Sequence, residues 1–149
     1  MRFASERGHP AIGVDRSEEA LAAAAPYGKT LLADIENGPW PFSGQEFGGI
    51  VVTNYLWRPR LPDIVAAVAP GGVLLYETFS AGNETVGKPS RPDFLLQPGE
   101  LLTACAGLRV VAYEDGFLSE PDRFVQRIAA VRAAAQPATW PPRHLLAAR

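Results

Sequence analysis

Ala11-Ile12-Gly13-Val14-Asp15 is the stretch on which the reading of this chain turns. A short apolar run closed by an acid, with Ser17, Glu18 and Glu19 close behind, predicts a buried strand that hands over directly to a helix. Ser17 can cap that helix, the two glutamates suit its first turn, and the alanine-rich run Ala20 to Ala25 carries it to Pro26. Thr30 to Ala33 repeat the pattern, again closed by an acid at Asp34, before Gly38, Pro39 and Pro41 break the chain. Gly49 to Thr53 give a third strand, ending at Asn54. An aromatic loop follows, then a helix over Leu61 to Ala69 that stops at Pro70-Gly71-Gly72. Val73 to Thr78 make the fourth strand.

Beyond it, Phe79 to Pro98 is rich in Gly, Pro, Asn and charge and is too long for a plain connector. It reads as a lid or a substrate loop, with Asn83, Glu84, Lys88, Arg91 and Phe94 as candidate lid residues, or as a simply solvated segment. Pro98 suits the first turn of a helix that runs through Cys105 to Gly107. The strands Leu108 to Tyr113 and Phe124 to Val131 are joined by Glu114 to Arg123 without a helix, so they should pair antiparallel at one side of the sheet. Near-continuous apolar strands alternating with helices indicate an α/β fold, an αβα sandwich around a mostly parallel sheet with a terminal antiparallel strand. One domain is expected over 1–133, and the proline-containing tail 134–149 reads as frayed or loosely docked.

The bulk properties narrow the function classes. At 149 residues and 47% hydrophobic the chain can bury one core. A net charge of −2 with scattered Lys and Arg offers no basic stripe for nucleic acid and no membrane patch. The single cysteine, Cys105, cannot form an internal disulfide, and no window reaches the roughly 20 apolar residues of a membrane span. Met1 to Pro10 lack the apolar region of a secretory signal, so a reducing, cytoplasmic setting is expected. Cys105 reads as a small core residue, His9 as a turn residue and His144 as tail. Neither histidine has the partners a metal site needs.

In open α/β sheets ligands bind beyond the carboxyl ends of the strands, where this chain places Asp15, Asp34, Asn54 and Glu77. An acid at the end of a strand can accept from both hydroxyls of a ribose, so Asp15 is either such a ligand or a helix-entry residue. Asp34 is either a ligand acceptor or the acid of a turn before Asn37-Gly38. A ribose acid of this kind follows a strand and a Gly-rich turn by about 20 residues, yet fourteen residues precede Asp15. Arg2 to His9 instead read as the end of a helix, with Gly8 at its C-terminal cap and Pro10 as the stop. The expected first strand is absent, and Met1 is expected to be an internal methionine of a longer reading frame.

Several pieces, in order and spacing, resemble the class I methyltransferases that use S-adenosylmethionine, more narrowly their small bacterial stand-alone members. These are Glu6-Arg7-Gly8-His9 leading into Gly13-Val14-Asp15, Ala33-Asp34-Ile35-Glu36, Ile50 to Leu56, and Ala69-Pro70-Gly71-Gly72 leading into Val73 to Thr78. The resemblance runs from about Arg7 to Arg132 and implies a Rossmann-like sandwich with S-adenosylmethionine as cofactor. It implies that Asp15, with Arg16 beside it, would meet the ribose. Asp34 would take the adenine amino group with Ile35 against the ring, and Asn54, Tyr55 and Leu56 would lie near the methionine moiety. An acceptor, expected to be a small molecule, would meet Tyr55, Trp57, Arg58 and Glu77, unless Tyr55 and Trp57 simply cap the core and Glu77 is a charged strand end facing water; no residue is singled out for the chemical step. The branch that methylates base amino groups carries Asn or Asp, two prolines and an aromatic at the strand end. Asn54-Tyr55-Leu56-Trp57 departs from that pattern. In the family the absent strand lies between those ending at Asp15 and Asn54, so two strand edges would be left open to a further copy of the chain. Two other hypotheses stand beside methyl transfer: a non-catalytic interaction domain with this fold, and a nucleotide-fold dehydrogenase, against which the closing antiparallel pair argues.

Overall fold

A computed structural model describes residues 1–136 and 141–144. These residues divide into two compact units, 1–43 and 44–149, each described by itself.

The first unit opens with α1 (Arg2–Ser5), β1 (Ile12–Asp15), α2 (Glu18–Ala24) and β2 (Lys29–Leu32). The helix end expected before the first strand is present. The Gly8 N–H donates to the Ser5 carbonyl at 2.9 Å and the His9 N–H to the Ala4 carbonyl at 3.0 Å, with Gly8 at φ +75°. That pair of bonds is the glycine-closed helix terminus in which only a residue without a β-carbon is unstrained. Ser17 caps α2 as expected, its hydroxyl accepting from the Ala20 N–H at 3.2 Å. β1 and β2 pair in parallel, with Asp15 opposite Leu32.

The second unit contains β3 (Phe47–Thr53), α3 (Leu61–Ala66), β4 (Val68–Phe79), α4 (Glu100–Ala104), β5 (Arg109–Leu118) and β6 (Arg123–Val131). Its sheet runs β3-β4-β6-β5. β3 and β4 are parallel, and β6 is antiparallel to both of its neighbours. The expected antiparallel pairing of the last two strands is therefore observed, with the later strand inserted between β4 and β5. Strands form two sheets rather than one, β1-β2 in the first unit and β3-β4-β6-β5 in the second.

Side chains alternate across β4. Leu74, Tyr76 and Thr78 are buried, as are Gln126, Ile128 and Ala130 on β6. α3 packs on β4 and α4 on β6, contributing buried Leu61, Ile64 and Leu101. Among the described residues both α-helices of this unit lie on that one face. On the other, Val51 is 69% and Leu75 43% exposed.

Two helices are shorter than expected. The apolar run over Leu61 to Ala69 reads as helix throughout, but α3 ends at Ala66 because Val68 is already paired with Phe47 as the first residue of β4. Arg132 donates to the Val65 and Val68 carbonyls at 2.7 and 2.6 Å, and the Phe47 N–H donates to the Ala67 carbonyl at 2.8 Å. Pro70-Gly71-Gly72 thus lies inside an irregular β4 rather than after a helix. A β-carbon on Gly72 would stand 2.8 Å from the Phe47 carbonyl oxygen, so the close approach of β3 requires glycine there. α4 starts at Glu100 rather than Pro98 because Gly99, at φ +73°, turns the chain first. Of the tail, 137–140 and 145–149 lie outside the described residues.

Candidate functional site

In the first unit the strand-end acids sit side by side, since the Ala33 N–H donates to the Asp15 carbonyl at 3.0 Å. One carboxylate oxygen of Asp15 accepts the Ser17 N–H at 2.9 Å, so Asp15 does serve helix entry. It remains exposed, and an ionised carboxylate offers about four lone-pair positions, so acceptor capacity for a ligand is left over. Asp34 is more heavily committed. Its Oδ1 accepts the Glu36 and Asn37 N–H groups at 2.9 and 3.1 Å, and its Oδ2 accepts the Asn37 side-chain amide at 2.9 Å. The Asn37 amide, and then the two backbone donors, hold its carboxyl below the ordinary value. The turn geometry is realised, and the carboxylate is kept as an acceptor at neutral pH. Arg16 stands 3.8 Å from Glu36, an ion pair across the two strand ends, and Ile35 is half-buried in the Asp34 turn.

The second unit gathers the other candidates beyond β3. Asn54 adopts φ +53°, a conformation that asparagine tolerates better than most residues, and its N–H donates to the Glu77 carbonyl at 3.0 Å. The Tyr76 hydroxyl donates to the Tyr55 carbonyl at 2.8 Å, which fixes the segment just past the strand. Burial, foremost, pushes the Tyr76 hydroxyl far above its ordinary pKa, so it stays a donor. Leu56 is buried and Trp57 half-buried. Glu77 lies opposite Arg127 in the ladder, and so does Glu114 from the other side. The Arg127 Nε is 3.3 Å from Glu77 and 3.1 Å from Glu114, so Glu77 belongs to a cross-strand carboxylate–guanidinium–carboxylate row.

Arg58, expected to meet the acceptor, has its donors directed into the protein. Nε and Nη2 reach the two Glu100 oxygens at 2.7 and 2.9 Å, Nη2 also reaches the Leu95 carbonyl at 2.9 Å, and Nη1 reaches the Asp93 carbonyl at 2.8 Å. Burial of Glu100 would raise its pKa, but the Arg58 hydrogen bond, the Gln97 N–H and the Arg58 charge outweigh it and lower it. Cys105 is buried and its thiol is pushed up to about 11 by that burial, which makes it inert at neutral pH.

The loop 79–98 is not simply solvated. Asn83, 1% exposed, donates its amide to the Pro89 carbonyl at 3.0 Å and accepts the Phe124 N–H at 3.1 Å. Gln126, 0% exposed, donates to the Gln97 carbonyl at 2.6 Å and accepts the Leu101 N–H at 3.3 Å. Sequence reasoning missed Tyr76, Glu100 and Gln126. The one available signal was a polar-tipped side chain at an inward position of an alternating strand, which holds for Tyr76 and Gln126.

No protein-family model matches the sequence, and no curated protein sequence matches it significantly. Solved structures do match. TehB from Haemophilus influenzae superposes with a TM-score of 0.66 at 19% identity, over 87% of this chain and 52% of its own. The N-methyltransferase NodS from Bradyrhizobium japonicum WM9 gives 0.65 at 16% identity, over 88% and 79%. Magnesium protoporphyrin IX methyltransferase (ChlM) from Synechocystis PCC 6803, with bound SAH, gives 0.65 at 11% identity, over 89% and 68%. The fold is that of the class I methyltransferases. This methyltransferase fold spans about half the length of the TehB chain, at 52%. Among the described residues no helix is long and apolar enough to cross a membrane.

Proposed function

We propose that the chain binds S-adenosylmethionine and serves methyl transfer to a small-molecule acceptor. The observation that carries this reading is the exposed carboxylate of Asp15 at the carboxyl end of β1, in a chain with the methyltransferase fold. Bound S-adenosylmethionine supplies a methyl group on a sulfonium, open to in-line displacement. For that chemistry a protein mainly aligns the partners and keeps water out. Asp15, with Arg16 nearby, would hold the ribose hydroxyls. Asp34 would accept the adenine amino group and Ile35 would cover a ring face. Asn54, Tyr55 and Leu56 would lie along the methionine end, their backbone set by the Tyr76 hydroxyl and the Glu77 carbonyl. Tyr55, Trp57 and Glu77 would border the acceptor.

Calorimetric titration of the chain with S-adenosylmethionine and S-adenosylhomocysteine tests the reading. Both are expected to bind, and Asp15→Ala is expected to weaken each by about tenfold or more, the worth of a charge-assisted hydrogen bond. No binding at millimolar ligand would sink the proposal.

A second reading, an interaction module that assembles with its own copies, is supported by β3. In the sheet order of its unit that strand stands at one end, beside β4, and it carries the exposed Val51. A strand at the end of a sheet can act as a template for another strand. Light scattering is expected to find a dimer for the chain and a monomer for Val51→Lys, because a lysine on an edge strand blocks pairing. A wild-type chain that stays monomeric at high concentration would exclude it.

A further inference from the structure

A single guanidinium ties together three segments that are distant in sequence. Arg58 lies on the short connection between β3 and α3, and four of its contacts reach Glu100, Asp93 and Leu95. Glu100 is shared, since its Oε2 also accepts the Gln97 N–H at 2.8 Å. The fork therefore joins the segment that follows Asn54–Trp57 to residues 93–97 of the long loop and to the first turn of α4. The loop returns to the sheet at the same place: the Leu96 N–H donates to the Phe79 carbonyl at 3.0 Å and the Ala81 N–H to the Leu96 carbonyl at 2.9 Å. Arg58 and Glu100 side chains are 38% and 20% exposed, so the pair is partly withdrawn from water. A bidentate, partly desolvated arginine–carboxylate pair has defined geometry, unlike a mobile surface ion pair.

We propose that Arg58 is a positioning residue for the acceptor side of the site. It holds loop residues 93–97 at a set place relative to the strand-end segment Asn54–Trp57, so the loop is a fixed wall rather than a swinging lid. The proposal rests on the methyl-transfer reading for the identity of that site. Lysine cannot replace the residue, because a point charge cannot present the two parallel N–H groups of the fork.

The test compares the full chain with its Arg58→Met, Arg58→Lys and Glu100→Gln variants. Hydrogen exchange is followed at the Phe94, Leu95 and Leu96 amides, and fluorine resonances are followed with 5-fluorotryptophan. Trp57 is one of three tryptophans, so Trp57→Phe assigns its signal. In Arg58→Met exchange at the three loop amides is expected to rise about tenfold or more through local opening, while β4 amides exchange as before and the Trp57 resonance moves. Arg58→Lys is expected to fall between. Affinity for S-adenosylhomocysteine should hold in all variants, which separates positioning of the acceptor wall from donor binding. If Arg58→Met does not fold, Glu100→Gln keeps a neutral acceptor and is expected to show a smaller rise at the same amides. Unchanged exchange and an unmoved Trp57 signal would overturn the staple, as would an equal rise across the whole chain. A wild-type chain that binds no S-adenosylhomocysteine would overturn the methyl-transfer reading instead, with the loop measurements unaffected.

Discussion

Leu74→Ala is expected to destabilise the second unit by about 3 kcal/mol, the cost of lost transfer energy plus an unfilled cavity. Leu74 is 0% exposed, sits centrally on β4, and shares its face with Tyr76 and Thr78 beneath the helical layer. Its ladder partner across β6 is Ala130, also 0% exposed, too small to move into the space. Urea denaturation followed by circular dichroism measures the change. The contrast is Leu75→Ala at the neighbouring position, 43% exposed on the opposite face, which is expected to cost well under half as much. Similar costs at both positions would mean that the exposed face is covered in solution.

Asn83→Ala should cost about 1–3 kcal/mol, with its effect concentrated in the loop. The substitution strands two backbone groups, the Pro89 carbonyl and the Phe124 N–H, that have Asn83 as a partner. A partly buried backbone group without a partner carries part of the desolvation penalty, so the expected outcome is faster exchange over the Gly82 to Gly87 turn together with a lowered denaturation midpoint. Asn83→Asp separates the two bonds: it keeps an acceptor for Phe124 but has no donor for Pro89. It should fall between wild type and alanine in exchange at the turn. An alanine variant as stable as wild type would show that water replaces the side chain.

The strands were legible because each is a short apolar run closed by a polar residue, a pattern that survives without knowledge of partners. The strand-end acids were legible for the same reason, since position in an α/β sheet follows from the order of strands. Their bonding was less so. Asp15 and Asp34 each had two readings, and the structure realises the local one in both while Asp15 remains exposed. Where partners lie far along the chain, local patterns carry no trace of them. Arg132 binds carbonyls 64 and 67 positions earlier at the junction of α3 and β4, and no property of Leu61 to Ala69 announces it. Arg58 meets Glu100 across 42 positions, and Glu100 reads locally as an ordinary first-turn acid. The pairing of Glu77 with Arg127 needed only the strand register, one step beyond recognising the strands.

The insertion of β6 between β4 and β5 also dictates an order of events. β3 and β4 can zip together as soon as both are made, but β5 has no neighbour in the sheet until β6 arrives. Two of the loop's contacts wait on the same strand, because they close on Phe124 and Gln126, both in β6. Contacts that bridge long stretches of chain form late. A nascent chain released before Arg123 therefore carries a loop that lacks these two latches, an unpaired β5 and a bare second edge on β4. β6, the last strand among the described residues, thus fills the sheet and closes two of the loop's contacts together.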